Sequence, residues 1–311
     1  MLRHKIRQAL VSVVRRLPLG LGHWLTRGRR GATLAQVLAE FAGPSEAHRR
    51  ASNEMLLGPV CPVRRLYTDL LIRSLSNMIY GDPPLPPLTA GREQAYSPKV
   101  RKIGRDWPSV AHTMVGLARL ENLRDLAQAA IHKNIPGDFI ETGVWRGGCC
   151  ILMRGVLAAN LITDRKVYVA DSFAGLPRPN PAKYPEDEED KLYTYKELAV
   201  SVEQVKANFA AYGLLDDKVV FVQGFFQDTL PKLDAGPLAL IRLDGDMYES
   251  TIVALDALYP RLSPGGFIVV DDYGNIKACR QAVTDYRNCN MIDTPIQGID
   301  WSGIWWQKPK A

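Results

Sequence analysis

A doubly wound α/β domain preceded by a helical extension is the fold this chain predicts, on three observations. From Gly137 onward, short apolar runs of strand length alternate with helical segments, the pattern of a parallel sheet covered on both faces. Acids and glycines gather where those runs end, and ligands of such sheets sit beyond the carboxyl ends of the strands, where the topology switches direction. The chain has 311 residues, 46% of them hydrophobic and 23% charged, enough to bury a full core and too apolar for general disorder.

Residues 1–40 form a basic segment, with eight Lys or Arg residues between Met1 and Ala39 and no acid before Glu40. The net charge of +6 belongs to this end, because the 31 basic residues that follow are outnumbered by 33 acids. A nucleic-acid-binding body is therefore not expected. Leu2, Ile6, Leu10, Val13, Val14 and Leu17 recur at near-helical spacing, which reads as an amphipathic helix packed on its own domain or on a sister subunit. Peripheral attachment to an anionic membrane surface is the second reading, and an organelle-targeting peptide the third. Arg15 and Arg16 interrupt the apolar run and argue against secretion. No uncharged apolar stretch is long enough to span a bilayer.

Residues 41–135 read as mainly helical. Pro83, Pro84, Pro86 and Pro87 break the zone and suggest an extended crossing. A helix is expected over Ser109–Ala130, with Ser109 as N-cap and Val115, Leu117, Leu120, Leu123 and Leu126 on its apolar face.

Residues 136–311 form the main domain. Its expected strands are Asp138–Val144, Lys166–Asp171, Val219–Gln223, Leu238–Leu243 and Phe267–Val270. Helices are expected at Cys149–Ala159, Val202–Tyr212 and Glu249–Leu262. The segment Leu176–Glu197 is too long and polar for a turn. Its four prolines and the acidic run from Glu186 to Asp190 suggest a lid over the site, with a solvated surface excursion as the alternative. The five cysteines include no Cys-x-x-Cys pair, and Cys149 and Cys150 read as buried thiols. A zinc site is not expected, and the odd count favours a reducing, cytoplasmic setting.

The strand ends carry the chemistry. The first ends in Glu141-Thr142-Gly143-Val144-Trp145-Arg146-Gly147-Gly148, where glycines let backbone approach a ligand before a helix begins. A carboxylate inside an apolar strand needs a partner, so Glu141 points either to a cationic ligand group, such as a methionine amino group, or to an internal salt bridge. Asp171-Ser172 ends the second strand, where an acid can accept hydrogen bonds from both ribose hydroxyls. Gly224-Phe225-Phe226-Gln227-Asp228 follows the third and suits an adenine, although core packing is the plainer role for each Phe. Asp244-Gly245-Asp246 ends the fourth and Asp271-Asp272 the fifth. Neighbouring parallel strands lie about 4.8 Å apart, so these acids would repel strongly unless neutralised. Hard oxygen donors without His or Cys suit Mg²⁺; capping of the following helices is the alternative.

The stretch from Asp138 to Asp272 resembles the macrocin O-methyltransferase (TylF-type) family, which methylates sugar hydroxyls on glycosylated natural products. The resemblance rests on Phe139 through Gly148, Ala170-Asp171-Ser172-Phe173-Ala174-Gly175-Leu176-Pro177, and Leu243 through Thr251. Leu66 through Leu71, Asn77 through Pro83 and Ala111 through Leu117 add to it upstream, so that it covers roughly residues 65–308. It implies a Rossmann-like methyltransferase sheet, S-adenosyl-L-methionine as cofactor, Mg²⁺ bound by Asp244, Asp271 and Asp272, and Asp246 as general base. It further implies that Thr113, Met114, Glu141, Asp171, Ser172 and Asp228 line the cofactor pocket, to which Thr142, Gly143, Gly224 and Gln227 belong as neighbours in the same loops. The expected acceptor is a small molecule or glycoside with a vicinal diol, and a homo-oligomer is expected. A metal-dependent glycosyltransferase using Asp244-x-Asp246 and a catechol-type phenol methyltransferase are the alternatives. His112, alone beside an apolar helix, reads as a hydrogen-bonded structural residue rather than a rival base.

Overall fold

The computed structural model describes residues 61–85 and 95–310. The expectations for residues 1–40, including helix and membrane contact, lie outside the described residues, as do Pro86 and Pro87.

The first described helix, α1 (Pro62–Leu75), starts on a proline, whose missing N–H costs nothing at that position. A short α2 (Pro98–Lys102) and the longer α3 (Leu117–His132) follow. The sheet then alternates as expected: β1 (Asp138–Thr142), α4 (Gly148–Ala159), β2 (Val167–Asp171), α5 (Val202–Ala211), β3 (Val219–Gln223), α6 (Phe226–Thr229), β4 (Leu238–Leu243), α7 (Tyr248–Leu258) and β5 (Leu262–Val270). Beyond the expected elements come α8 (Lys277–Cys289), β6 (Gln297–Gly298) and β7 (Ile304–Gln307).

The strand order is β3-β2-β1-β4-β5-β7-β6. The strands from β3 across to β5 pair in parallel, and β7 pairs antiparallel with both β5 and β6. The order reverses between β1 and β4, which opens the ligand crevice of such sheets there. The period-two pleat explains the two layers. Phe139, Leu240, Phe267 and Val269 face a core built with Leu75, Leu120, Leu123, Ile151 and Phe209. Ile140, Ile241, Ile268 and Val270 face the other core, with Leu255, Val283, Tyr286 and Trp306. All five cysteines are free, with Cys149 and Cys150 buried as read. No helix among the described residues is long and apolar enough to cross a membrane.

Three boundaries differ from expectation. The helix expected from Ser109 begins at Leu117 with Gly116 as N-cap. Asp82 competes for the intervening backbone: its Oδ2 accepts from Ser109 Oγ at 3.2 Å and from Val110 N at 2.7 Å. Pro83–Leu85 runs extended beside Trp107–Ser109, as the prolines suggest. The helix expected to reach Leu262 ends at Leu258, and Tyr259–Arg261 forms a 3₁₀ turn around Pro260, which cannot donate the next helical bond. The last parallel strand starts at Leu262 rather than Phe267, with a register shift before its regular half.

Asp82 is the polar hub of this crossing. Burial pushes its carboxyl up, but Arg101, Val110 N–H and Asn77 outweigh that and leave it below the ordinary value. A lowered folded pKa gives stability that is present above the unfolded value and lost as pH falls through the folded one. Asp82→Ala is therefore expected to cost about 1–3 kcal/mol at neutral pH. The deficit should shrink on acidification below about pH 4, as read by urea unfolding at both pH values.

Candidate functional site

The parallel ladder carries the loops in register past the strand ends. Gly143 N donates to Ala170 O, Asp244 N to Thr142 O, and Asp271 N to Leu243 O, each at 2.9 Å. Gly224 N donates to Asp171 O at the same distance. Glu141, Thr142, Gly143, Asp171, Ser172, Gly224, Asp244, Asp246, Asp271 and Asp272 therefore share the carboxyl edge of the sheet. Thr113 joins them from the crossing that precedes α3: His112 O accepts from Gly148 N at the start of α4, and a Cβ on Gly148 would meet Thr113 Cβ. Met114 follows it in the chain. Gln227 and Asp228 are exposed on α6.

The glycines of the first loop serve chain-to-chain contact as well as any ligand. Gly143 has φ +81°, and a Cβ there would overlap the carbonyl oxygen of Asp244. Trp145, Phe173 and Asp246 also adopt positive φ, at 47°, 55° and 58°, a region costly for residues other than glycine. The loops after β1, β2 and β4 each hold one such residue.

Arg242 and Glu141 are cross-strand neighbours on one sheet face. Arg242 Nη1 pairs with Glu141 Oε1 and with Asp244 Oδ2, the latter at 2.8 Å, while Nη2 pairs with Asp271 Oδ1. Arg119 of α3 pairs with Asp271 Oδ2 and, at 3.0 Å, with Asp300. The partner Glu141 has in this structure is thus Arg242, the internal salt bridge of the two readings, and Cys150 Sγ donates to its other oxygen at 2.8 Å. Burial pushes Glu141 up to about 7 despite Arg242. Burial also raises Asp271, but Arg119 and Arg242 more than offset it and leave the group lowered.

The other acids fare differently. One carboxylate oxygen from each of Asp244, Asp271 and Asp272 lies within 4.8 Å of the others. Burial and then mutual repulsion raise Asp244, and push Asp246 and Asp272 well above the ordinary value. Among the described residues no lysine or arginine pairs with Asp246 or Asp272; the ion pairs of this edge stop at Asp244 and Asp271. Asp272 Oδ2 accepts from Asp246 N at 3.2 Å. Three gathered oxygen donors with uncompensated charge beside them are a set that a hard divalent cation fits.

Asp171 is held by two loops: Val144 N, after β1, donates to Oδ2 at 2.7 Å, and Phe173 N, after β2, donates to Oδ1 at 2.8 Å. Thr142 Oγ1 is buried without a hydrogen-bond partner among the described residues. It lies on β1 at the crevice where the strand order reverses, and a buried hydroxyl there calls for a ligand or water. His112 Nδ1 hydrogen-bonds Tyr212 OH at 3.0 Å, the structural role read from sequence. Arg242, Arg119 and Asp187 were not singled out as site residues. An arginine inside an otherwise apolar strand was the available signal for Arg242, whereas Arg119 and Asp187 carry none.

Segment 176–197 is ordered over the carboxyl edge by 3₁₀ turns at Pro185–Asp187, Leu192–Thr194 and Lys196–Leu198. Trp145 Nε1 donates to Glu197 O at 2.8 Å, and Trp107 meets Tyr195 edge-on at 5.3 Å.

The profile of the macrocin-O-methyltransferase (TylF) family matches residues 65–308. The chain is 51% identical over 249 residues to the 8-demethyl-8-(2,3-dimethoxy-alpha-L-rhamnosyl)-tetracenomycin-C 4'-O-methyltransferase of Streptomyces olivaceus, covering 80% of this chain and 94% of that protein. It is 47% identical over 248 residues to the mycinamicin III 3''-O-methyltransferase of Micromonospora griseorubida, covering 78% of this chain and 96% of that one. Among solved structures, the O-methyltransferase NovP superposes with a TM-score of 0.75 at 46% identity, over 79% of this chain and all of that one.

Proposed function

The chain belongs to the macrocin O-methyltransferase family, and on that premise we propose that it transfers a methyl group from S-adenosyl-L-methionine to a sugar hydroxyl of a glycosylated natural product, with Mg²⁺ held by Asp244, Asp271 and Asp272. The observation that carries the metal is the trio of carboxylate oxygens, with no arginine or lysine on Asp246 or Asp272 among the described residues. The sugar rests on the relatives, one of which is named for a rhamnosyl compound. A glycosyltransferase reading of Asp244-x-Asp246 is set aside by family membership; a phenolic acceptor is the second outcome of the assay below.

Thr113, Met114, Glu141, Thr142, Gly143, Asp171, Ser172, Gly224, Gln227 and Asp228 are the proposed cofactor-binding residues. Thr142 offers an unpaired hydroxyl. Glu141 pairs with Arg242, which also holds Asp244 and Asp271. When bound, Mg²⁺ would supply Lewis acidity that lowers the pKa of an acceptor hydroxyl. Asp246 takes the proton of that hydroxyl as its oxygen bonds to the methyl carbon. The carbon–sulfur bond breaks and its electron pair stays on sulfur. A carboxylate without a guanidinium partner among the described residues is suited to this task, because its electrons are not held back. Segment 176–197 excludes water and fixes the acceptor's direction.

The test is methyl transfer from S-adenosylmethionine to a panel of glycosides, free diols and catechols, before and after chelation. Turnover of glycosides is expected, lost with EDTA and restored by added Mg²⁺. Turnover confined to catechols would overturn the sugar reading, and EDTA-resistant turnover would overturn the metal.

A further inference from the structure

Helix α7 follows directly on the turn that holds Asp246, and its own N-cap residue, Met247, provides no side-chain cap. The first amides of a helix have no intrahelical partner and must find one elsewhere. Here they find it outside the local chain. Asp187 Oδ1 accepts from Tyr248 N at 2.7 Å, and Oδ2 accepts from Glu249 N at 2.9 Å. Asp187 lies in segment 176–197, 61 residues upstream of Tyr248, and is 1% exposed. Both of its oxygens are thus spent on two consecutive amides at the start of α7.

The rest of this segment supports the same docking. Tyr184 stacks obliquely on Tyr248 at 5.8 Å. Asp190 N donates to Asp187 O at 3.0 Å, which closes the turn that presents the Asp187 carboxylate to α7. Asp246 has φ 58°, and such a conformation persists only where its surroundings over-determine it. Behind it stands the helix that Asp187 caps.

We propose that Asp187 is a positioning residue for the reaction: by capping α7 from segment 176–197, it couples docking of that segment to the placement of Asp246. The proposal rests on the reading of Asp246 as the base. With the segment docked, both amides are satisfied and the Asp244–Met247 turn is held. With it undocked, the two amides face water and the turn loses its anchor.

The experiment compares Asp187→Ala, Asp187→Asn and Asp246→Asn in the full chain by amide exchange, calorimetric S-adenosylmethionine binding and steady-state kinetics. In Asp187→Ala, exchange at Tyr248 and Glu249 and across 178–198 is expected to rise about five- to ten-fold, and kcat to fall by a similar factor. Exchange in β1 and β4 and the cofactor affinity should stay within about two-fold. Asp187→Asn, which keeps one acceptor oxygen, should recover part of both effects. Exchange that rises equally in the strands would mark a merely structural residue and overturn the proposal. Unchanged exchange at Tyr248 and Glu249 would overturn it too. Wild-type turnover in Asp246→Asn would instead sink the base assignment, and the exchange measurements on the Asp187 variants separate that failure from this one.

Discussion

Replacing Asp246 with asparagine is expected to lower kcat by about 10²–10⁴-fold, the range for loss of a positioned general base, while S-adenosylmethionine still binds. The side chain is isosteric, so the turn at φ 58° should persist, since asparagine tolerates that region as well as aspartate does. The backbone N–H that donates to Asp272 Oδ2 is unaffected. What disappears is a carboxylate that pairs with no lysine or arginine among the described residues. Asp244→Asn is the comparison, because Asp244 is one of the gathered oxygen donors and is also paired to Arg242. It should weaken Mg²⁺ dependence, seen as a higher metal concentration for half-maximal rate. If Asp246→Asn kept wild-type turnover while Asp244→Asn abolished it, Asp246 would not be the base.

The sheet was legible because a doubly covered parallel strand is apolar throughout, which leaves its polar end conspicuous. Asp171, Asp244, Asp271 and Asp272 stand at such ends, and the folded ladder brings them to one edge. The partner of Glu141 was half legible. The residue demanded a countercharge and Arg242 was visible in β4, but their adjacency depends on the order reversing between β1 and β4, which local pattern does not encode. Ser109 misled because its hydroxyl bonds Asp82, 27 residues away, rather than capping a helix. The antiparallel end of the sheet went unread because β6 and β7 are only two and four residues long, too short for a periodic signal. Asp187 was hidden for the same reason as the Glu141 pairing: a cap supplied across 61 residues has no local signature.

The largest stability effect is expected at Arg242, where one buried guanidinium touches Glu141, Asp244 and Asp271. Arg242→Met keeps much of the apolar stem and removes the charge, leaving Glu141 with Cys150 and Asp271 with Arg119 as their side-chain partners among the described residues. Breaking a buried pair from one side costs about 3–5 kcal/mol, because the abandoned charge stays buried. The pH dependence follows from two groups of opposite sign. Glu141 is raised to about 7, so its contribution to stability is present below the unfolded carboxylate value and is lost as pH rises through about 7. Without Arg242 that loss extends to higher pH. Asp271 is lowered, so it contributes above its unfolded value until pH falls through the folded one, and the variant forfeits part of that contribution. Both changes make the deficit of Arg242→Met widest above neutrality and narrower towards pH 5, measured by denaturant unfolding in EDTA. Adding Glu141→Gln removes one stranded charge and should recover part of the loss, a coupling that a double-mutant cycle isolates. A single variant within about 1 kcal/mol of wild type, or a double variant less stable than the single, would show that Arg242 is not what balances the acids at this edge.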